Sequence, residues 1–531
     1  MSSRSIKKKD TLHYHQYPKP GKIEVVPTKP SNSQRDLSIA YSPGVAEPCM
    51  EIAANPEDVY KYTAKGNLVA VITNGTAVLG LGDIGPEASK PVMEGKGVLF
   101  KIFADIDVFD LELDAADPDK FIDTVKALAP TFGGINLEDI KAPDCFYIEK
   151  RLKEELNIPV MHDDQHGTAI ITSAALLNAL EIADKNIAEI KVVFNGAGAS
   201  AISCAKLYLA LGVRSEHLYM CDSKGLITVS RDSLTPEKAL FAKHHEPCGL
   251  SDVMKSADVF VGLSKGGVVS KEMVKSMAPD PIVFALANPD PEIIYKDAMA
   301  AREDIIMATG RSDNPNQVNN VLGFPFIFRG ALDVRATAIN EEMKLAAVRA
   351  IAELTKEPVP EMVNLAYGES NLSFGKTYII PKPFDPRLIT TVAPAVAKAA
   401  MDSGVAKHPI ADWKAYDREL SDRLGRDDKF LRLLNENAII KPQRVVFTEG
   451  DHYRILKAAE ILLSSGTAIP VLLGPEDRIH EIIEEYQLEL SGVQIIDVSK
   501  ERAMREEFAL KLYELRKRRG WTLAECKSKV K

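Results

Sequence analysis

Short apolar runs alternate along this chain with longer stretches in which apolar residues recur every three to four positions. Leu68–Thr73 is a run of the first kind, followed by a glycine-rich stretch from Gly75 to Gly85 and a further apolar run, Val98–Phe103. Two more strand-like runs end in acidic segments, Gly134-Ile135-Asn136-Leu137-Glu138-Asp139-Ile140 and Val160-Met161-His162-Asp163-Asp164-Gln165-His166-Gly167-Thr168. Open α/β sheets present ligand groups at the C-terminal ends of their strands. The pattern then predicts a helix over Thr168–Ile182 and strands at Val192–Phe194, Leu218–Cys221, Val259–Val261, Ile282–Leu286 and Ile305–Met307. Helical patterns separate most of these strands, the first at Ser200–Leu211. Continuous apolar strands between helices indicate a parallel sheet covered on both faces.

From Asn340 the periodicity is helical, with Met343, Leu345, Ala346, Val348, Ile351 and Leu354 on one stripe. Asn435–Lys441 reads as a boundary. Beyond it lie a strand at Arg444–Phe447, a helix at Tyr453–Ser464, a strand at Ile469–Leu473 and charged helices to the end. One strand–helix–strand unit with a tail is too little for a complete domain. Residues 1 to about 35, rich in Pro, Lys and Ser, predict an extended arm.

Composition narrows the class. At 531 residues, two to four domains are expected, and 45% apolar with 27% charged residues is the balance of a globular protein in water. A net charge of −9 gives no electrostatic case for nucleic acid or an anionic membrane. The basic cluster Arg516–Arg519 reads as a solvated helix end. Six dispersed cysteines without a C-x-x-C pair point to reduced thiols in the cytoplasm rather than a disulfide framework or a zinc site. Met1–Asp10 lacks the apolar core of a secretory signal, and no uncharged apolar run reaches the roughly 18 residues that span a bilayer.

Candidate chemistry lies on the strand ends. Asn195-Gly196-Ala197-Gly198-Ala199-Ser200-Ala201 follows a strand and opens a helix, the setting in which glycines let a backbone approach a pyrophosphate. Asp222 ends the next strand and can accept from a ribose 2′-hydroxyl, whereas Ser223-Lys224 can hold a 2′-phosphate, which favours NADP over NAD. Glu138, Asp139 and Asp164 can supply oxygen ligands to one Mg2+ or Mn2+ ion. Tyr41 and Lys96 are candidate proton handlers, since a lysine beside a cation has its pKa lowered. Thr76 to Gly85, with Thr76 and Asp83, is a candidate phosphate anchor without a P-loop ending. Asn288 ends the fourth strand of the nucleotide unit and Asn320 follows the last. His162 and His166 fit supporting or core roles rather than ligation.

Taken together, residues from about 15 to 430 resemble the bacterial malic enzymes. The resemblance rests on Ala40-Tyr41-Ser42-Pro43-Gly44-Val45-Ala46, Gly80-Leu81-Gly82-Asp83-Ile84-Gly85, Gly95-Lys96-Gly97, the two acidic segments, the Asn195–Ala199 loop and Asn319-Asn320-Val321-Leu322-Gly323-Phe324-Pro325. Pro442–Gly474 resembles the start of phosphate acetyltransferases, as in the large bacterial malic enzymes with such a C-terminal half; most of that half lies outside this chain, so acetyl transfer is not expected. An acyl-CoA regulator is expected only where the full half exists. The implied fold is α/β: a substrate/metal domain (1–164), a Rossmann-like doubly wound NAD(P)-binding domain with a helical C-terminal segment (165–435) and a partial α/β unit (436–531).

The resemblance implies oxidative decarboxylation of (S)-malate to pyruvate and CO2 with reduction of NADP or NAD, decarboxylation of oxaloacetate, and a homo-oligomer. Carried over by residue, Glu138, Asp139 and Asp164 ligate Mg2+ or Mn2+, Lys96 is the base at the C2 hydroxyl and Tyr41 the acid at C3. Thr76, Asp83, Asn195, Gly196, Ala197, Gly198, Ala199, Ser200, Asp222, Lys224 and Asn288 contact cofactor, and Asn320 contacts substrate. Larger eukaryotic members carry an arginine for malate near the Gly75-Thr76-Ala77 stretch, and this chain does not. Two other classes compete: a nucleotide sensor, which has no need of Lys96, Tyr41 and three carboxylates, and a redox-free oxaloacetate decarboxylase, which has no need of the Gly196/Gly198 loop.

Overall fold

The computed structural model describes residues 8–369, 372–424, 434, 437–486, 488 and 490–530. Contacts divide the chain into two units, one ending at Leu424 and the other taking up the remainder.

The first unit holds two sheets. Strands β1 (Leu68–Thr73), β2 (Asp107–Glu112), β3 (Gly134–Leu137) and β4 (Val160–His162) form a parallel sheet in the order β2-β1-β3-β4. Alternate residues of β1 go to opposite faces, as a pleated strand requires. Val69 and Val71 enter the large core with Met93, Ile170 and Phe194, while Leu68, Ala70 and Ile72 pack with Phe121 and Ile148 beneath the other face.

Strands β5 (Val192–Asn195), β6 (Leu218–Asp222), β7 (Gly225–Leu226), β8 (Val259–Gly262), β9 (Ile282–Ala285) and β10 (Ile306–Thr309) make the second sheet, in the order β10-β9-β8-β5-β6-β7. All pairings are parallel except that of β7. The order reverses at β5, which opens a crevice at its C-terminal end, the switch point at which such sheets bind ligands.

The Asp163–Ile182 helix joins the sheets. It leaves directly from β4 and is apolar almost all round, with Ile170, Ile171, Ala174, Ala175 and Leu176 fully buried, so it runs through the core rather than over it. In the second unit, β11 (Gln443–Phe447), β12 (Ala468–Leu473) and β13 (Gln494–Ile496) form a small parallel sheet in that order. Its core gathers Leu456, Ala459, Leu472 and Ile479.

Several expectations are corrected. The extended arm contains two helices, Lys8–Gln16 and Gln34–Ala40. Neither has a buried residue; Asp10 in the first turn and His13 and His15 in the last suit the dipole of the former, and a Ser33–Asp36 capping box starts the latter. The run Val98–Phe103 lies inside the Pro86–Ala104 helix, where Met93, Lys96, Phe100 and Phe103 share the buried face. The expected helix at Thr168 begins five residues earlier, at Asp163. Strands β2 and β13 were not expected. Met1–Lys7, and Asn435 and Glu436 of the expected boundary, lie outside the described residues. Among the described residues no helix is long and apolar enough to cross a membrane, and the six cysteines are free.

Candidate active site

Strand β3 ends at Leu137 and delivers Glu138 and Asp139, 4% and 3% exposed, to the C-terminal edge of the first sheet. Asp139 adopts φ +55, a left-handed conformation that aspartate tolerates better than most residues. Its carbonyl accepts from Ala77 N (2.9 Å) and its Oδ1 from Leu79 N (3.3 Å), so the glycine-rich stretch is fastened to the acidic turn. Asp164 lies in the first turn of the Asp163–Ile182 helix, and its Oδ2 accepts from Asp139 N at 2.8 Å. One carboxylate oxygen from each of Glu138, Asp139 and Asp164 lies within 4.8 Å of the others.

Three acids this close resist ionising together. Burial, with the negative charges of Asp164 and Asp163 adding to it against Lys96, pushes Glu138 up to about 8. Burial, then Glu138, pushes Asp139 up to about 7, and burial, then Asp139, does the same to Asp164. Asp139 Oδ2 is buried without a hydrogen-bond partner. A hard, oxygen-only donor set with an orphaned lone pair and a surplus of negative charge fits a divalent Mg2+ or Mn2+ ion.

Lys96 enters from the Pro86–Ala104 helix, 9% exposed. Its Nζ lies 2.7 Å from Asp163 Oδ2, 2.9 Å from Glu138 Oε1 and 4.3 Å from the centroid of the Phe324 ring. Burial pulls its pKa down, but Asp163 and Glu138 outweigh burial and hold the ammonium charged. Asn320 completes this set, donating to Asp163 Oδ2 (3.1 Å) and accepting from Thr168 Oγ1 (3.0 Å). Asp163 and Phe324 were missed as site residues; the Asp163-Asp164 doublet at a strand end was the available signal.

Tyr41 does not join the cluster within this chain. It is 77% exposed, and its hydrogen bonds are backbone ones to Leu37 and Val45.

The nucleotide loop opens the crevice at the end of β5. Gly196 has φ +127, and a Cβ there would lie 2.3 Å from Leu263 O, so only glycine lets the β5 and β8 loops pass this closely. A Cβ on Gly198 meets nothing within 4 Å, which leaves its backbone open to a ligand at the N-terminus of the Ala199–Leu211 helix. Asn195 Nδ2 donates to Ser264 Oγ (2.7 Å), and Ser200 Oγ donates to Asp164 O (2.7 Å). The last bond joins the nucleotide loop to the acidic cluster.

A cavity of about 1020 Å3 follows the loop, lined by Gly196, Gly198, Asp222, Lys224, Lys238 and Lys265 among others. Asp222 does not stand free in it. Its Oδ1 accepts from Arg231 Nη1 (2.7 Å) and Lys224 N (2.9 Å), and Lys238 Nζ is 3.8 Å from Oδ2. Arg231 and Lys238 escaped the sequence reading because they lie nine and sixteen residues beyond the strand end. Asn288 is exposed after β9, and a Cβ on Gly80 would lie 2.9 Å from its carbonyl, so the glycine-rich stretch abuts this strand end. Thr76 Oγ1 bonds Asn74 Oδ1 (2.6 Å) and accepts from Lys141 N (3.0 Å), while Asp83 is exposed and 3.8 Å from Lys141 Nζ.

A dinucleotide crevice tied by one hydrogen bond to a carboxylate cluster and a buried lysine defines, as a class, the cation-assisted nicotinamide oxidoreductases. The family description "Malic enzyme, N-terminal domain" matches residues 20–153, "Malic enzyme, NAD binding domain" residues 165–366 and "Phosphate acetyl/butaryl transferase" residues 429–531. The chain is 56% identical over 519 residues to the NADP-dependent malic enzyme of Escherichia coli, covering 97% of this chain and 68% of that protein. With the NADP-dependent malic enzyme of Halomonas elongata it shares 60% identity over 403 residues, 76% of this chain and 96% of the relative. The crystal structure of malic enzyme from Pyrococcus horikoshii superposes with a TM-score of 0.73 at 43% identity, covering 81% of this chain and 98% of that one. The chain belongs to the malic enzyme family.

Proposed function

We propose that the chain catalyses the oxidative decarboxylation of (S)-malate to pyruvate and CO2 with reduction of NADP, uses NAD less well, and also decarboxylates oxaloacetate. The observation that carries this reading is the cluster of Glu138, Asp139 and Asp164 around Lys96, joined to the nucleotide loop through Ser200 and Asp164. Residues 1–164 then supply substrate and metal groups, 165–435 the cofactor site, and 436–531 the beginning of a phosphotransacetylase-like part.

Bound by Glu138, Asp139 and Asp164, a divalent cation supplies Lewis-acid polarisation of the substrate C2 oxygen and stabilises the charge left by CO2 loss. Lys96 takes the proton of the C2 hydroxyl as hydride passes from C2 to the nicotinamide. A cation on Glu138 would withdraw one of the two carboxylates that hold the Lys96 ammonium charged and add a positive neighbour, and both effects lower the amine's pKa toward that of a base. Asp163 and Asn320 orient Lys96, and Asn320 reaches substrate from the same position. Tyr41 is the proposed acid that returns a proton to C3 once CO2 has left. It stands among exposed Leu37, Ile39, Val45 and Met50, and it meets substrate when that apolar surface is covered, which supports a homo-oligomer. The free cysteines support a cytoplasmic setting.

The preference for NADP rests on Asp222. An aspartate whose charge is offset by Arg231 and Lys238, and whose Oδ1 already accepts two hydrogen bonds, repels a 2′-phosphate less and serves a ribose diol less well, and Lys238, which lines the cavity with Lys224, offers the phosphate a charge-assisted donor. The test is nicotinamide absorbance with malate, Mn2+ and either dinucleotide. Malate-dependent reduction supports the proposal; loss of oxaloacetate alone indicates a redox-free decarboxylase, and dinucleotide binding without turnover a sensor.

A further inference from the structure

Behind the acidic cluster a second charged group is buried that no step above uses. Glu149, on the Asp144–Glu155 helix, is 6% exposed. Its Oε1 accepts from the backbone N–H of His162 (3.0 Å) and lies 2.7 Å from Lys153 Nζ, and its Oε2 is 3.0 Å from His166 Nε2. Across the imidazole, Lys344 Nζ from the Glu341–Lys356 helix lies 3.3 Å from His166 Nδ1, and Lys344 also pairs with Glu341. An ammonium only donates, so Nδ1 accepts and Nε2 carries the proton given to Glu149.

The spacing gives this arrangement its meaning. Glu149 holds the chain at residue 162 and again at residue 166, on either side of Asp163 and Asp164. We infer that Glu149, with His166 and Lys344, is a positioning clamp that fixes the β4–helix junction so that Asp164 meets the ligand oxygens of Glu138 and Asp139, and Asp163 meets Lys96. The inference rests on the proposed cation site.

A clamp is needed because of the electrostatics of the cluster. Three acidic groups within 4.8 Å repel one another when ionised and would spread apart, and the junction is the one part of the cluster carried by a separate strand end and helix turn. His162, fully buried with its Nδ1 3.8 Å from Asp164 Oδ2, has no side-chain hydrogen bond of its own, so its backbone bond to Glu149 is the polar tie at that residue. Partners behind a first ring of metal ligands commonly change affinity by about 10- to 100-fold when removed.

The test is Mn2+ binding to the full chain, followed by the electron paramagnetic resonance signal of free Mn2+, with NADP binding measured separately without metal. Glu149→Ala is expected to weaken Mn2+ about 10-fold or more and to change NADP binding far less. His166→Ala is expected to weaken Mn2+ as well. His166→Gln restores it, because the amide donates to Glu149 and accepts from Lys344; this pair carries the test should Glu149→Ala fail to fold. Unchanged Mn2+ affinity in Glu149→Ala, equal loss of NADP and Mn2+ binding, or His166→Gln behaving like His166→Ala each overturns the clamp. Glu138→Gln serves as the reference: if it too leaves Mn2+ binding intact, the cation site itself is refuted.

Discussion

Cation binding to this cluster is expected to expel protons, and the effect follows from the geometry. With no cation present, Glu138 lies at about 8 and Asp139 and Asp164 at about 7, in each case chiefly because burial disfavours the charge. Ligation requires all three as carboxylates, so the protons they hold must leave. The three titrate as a set; between about pH 6 and 7 roughly two to three protons are displaced per cation, which weakens Mn2+ affinity about 100- to 1000-fold for each pH unit lost. Above about pH 9 the dependence flattens, since the set is then ionised before the cation arrives. The assay is calorimetric Mn2+ titration of the full chain in buffers of different ionisation enthalpy, which counts the protons directly. An affinity constant from about pH 6 to 8, with no proton release, would refute the claim that these acids are crowded and solvent-poor.

Three further outcomes are expected. Without divalent cation, thermal stability falls as pH rises from about 6.5 to 8: the folded chain holds carboxylate protons that the unfolded chain has released, while His162 and His166, lowered to about 4 chiefly by burial, oppose this with fewer protons and fade as the unfolded imidazoles lose theirs above about 7. Calorimetric midpoints across that window, with and without Mn2+, check this, and a rise with pH in metal-free protein contradicts it. Lys96→Ala abolishes turnover and keeps NADP binding, read by steady-state rates and dinucleotide fluorescence; retained turnover removes Lys96 as the base. Lys238→Met raises the KM for NADP about 10-fold, the loss of roughly 1.4 kcal/mol of charge-assisted contact, and leaves NAD unaffected; equal effects on both dinucleotides argue against a 2′-phosphate role.

Strands whose environment is apolar on both faces were legible from sequence: β1 runs over the residues its pattern marks, and β5, β6, β8, β9 and β10 differ by a residue or two at their ends. Strand β2 was not, because Asp107-Val108-Phe109-Asp110-Leu111-Glu112 is an edge strand whose half-exposed face breaks the apolar run. The Pro86–Ala104 helix contains Pro91, Gly95 and Gly97, which mask its period, and tertiary packing of Phe100 and Phe103 outweighs their poor propensity. Groups carried on local motifs, such as Glu138, Asp139, Asp164 and the Gly196 turn, could be seen in one dimension. Those recruited from distant helices could not: Glu149 and Lys344 meet at His166 only after three helices pack, and nothing in their own neighbourhoods marks them.

With a cation on Asp164 and a dinucleotide on the 195–200 loop, as proposed, the hydrogen bond from Ser200 to the Asp164 carbonyl makes the two thermodynamic neighbours. Whatever free energy the cofactor spends or gains in settling the loop is shared with the acid that the cation must grip, and by reciprocity the cation returns the same factor to the cofactor. In the enzyme proposed above the two guests therefore do not bind independently, and the affinity for each depends on whether the other is in place.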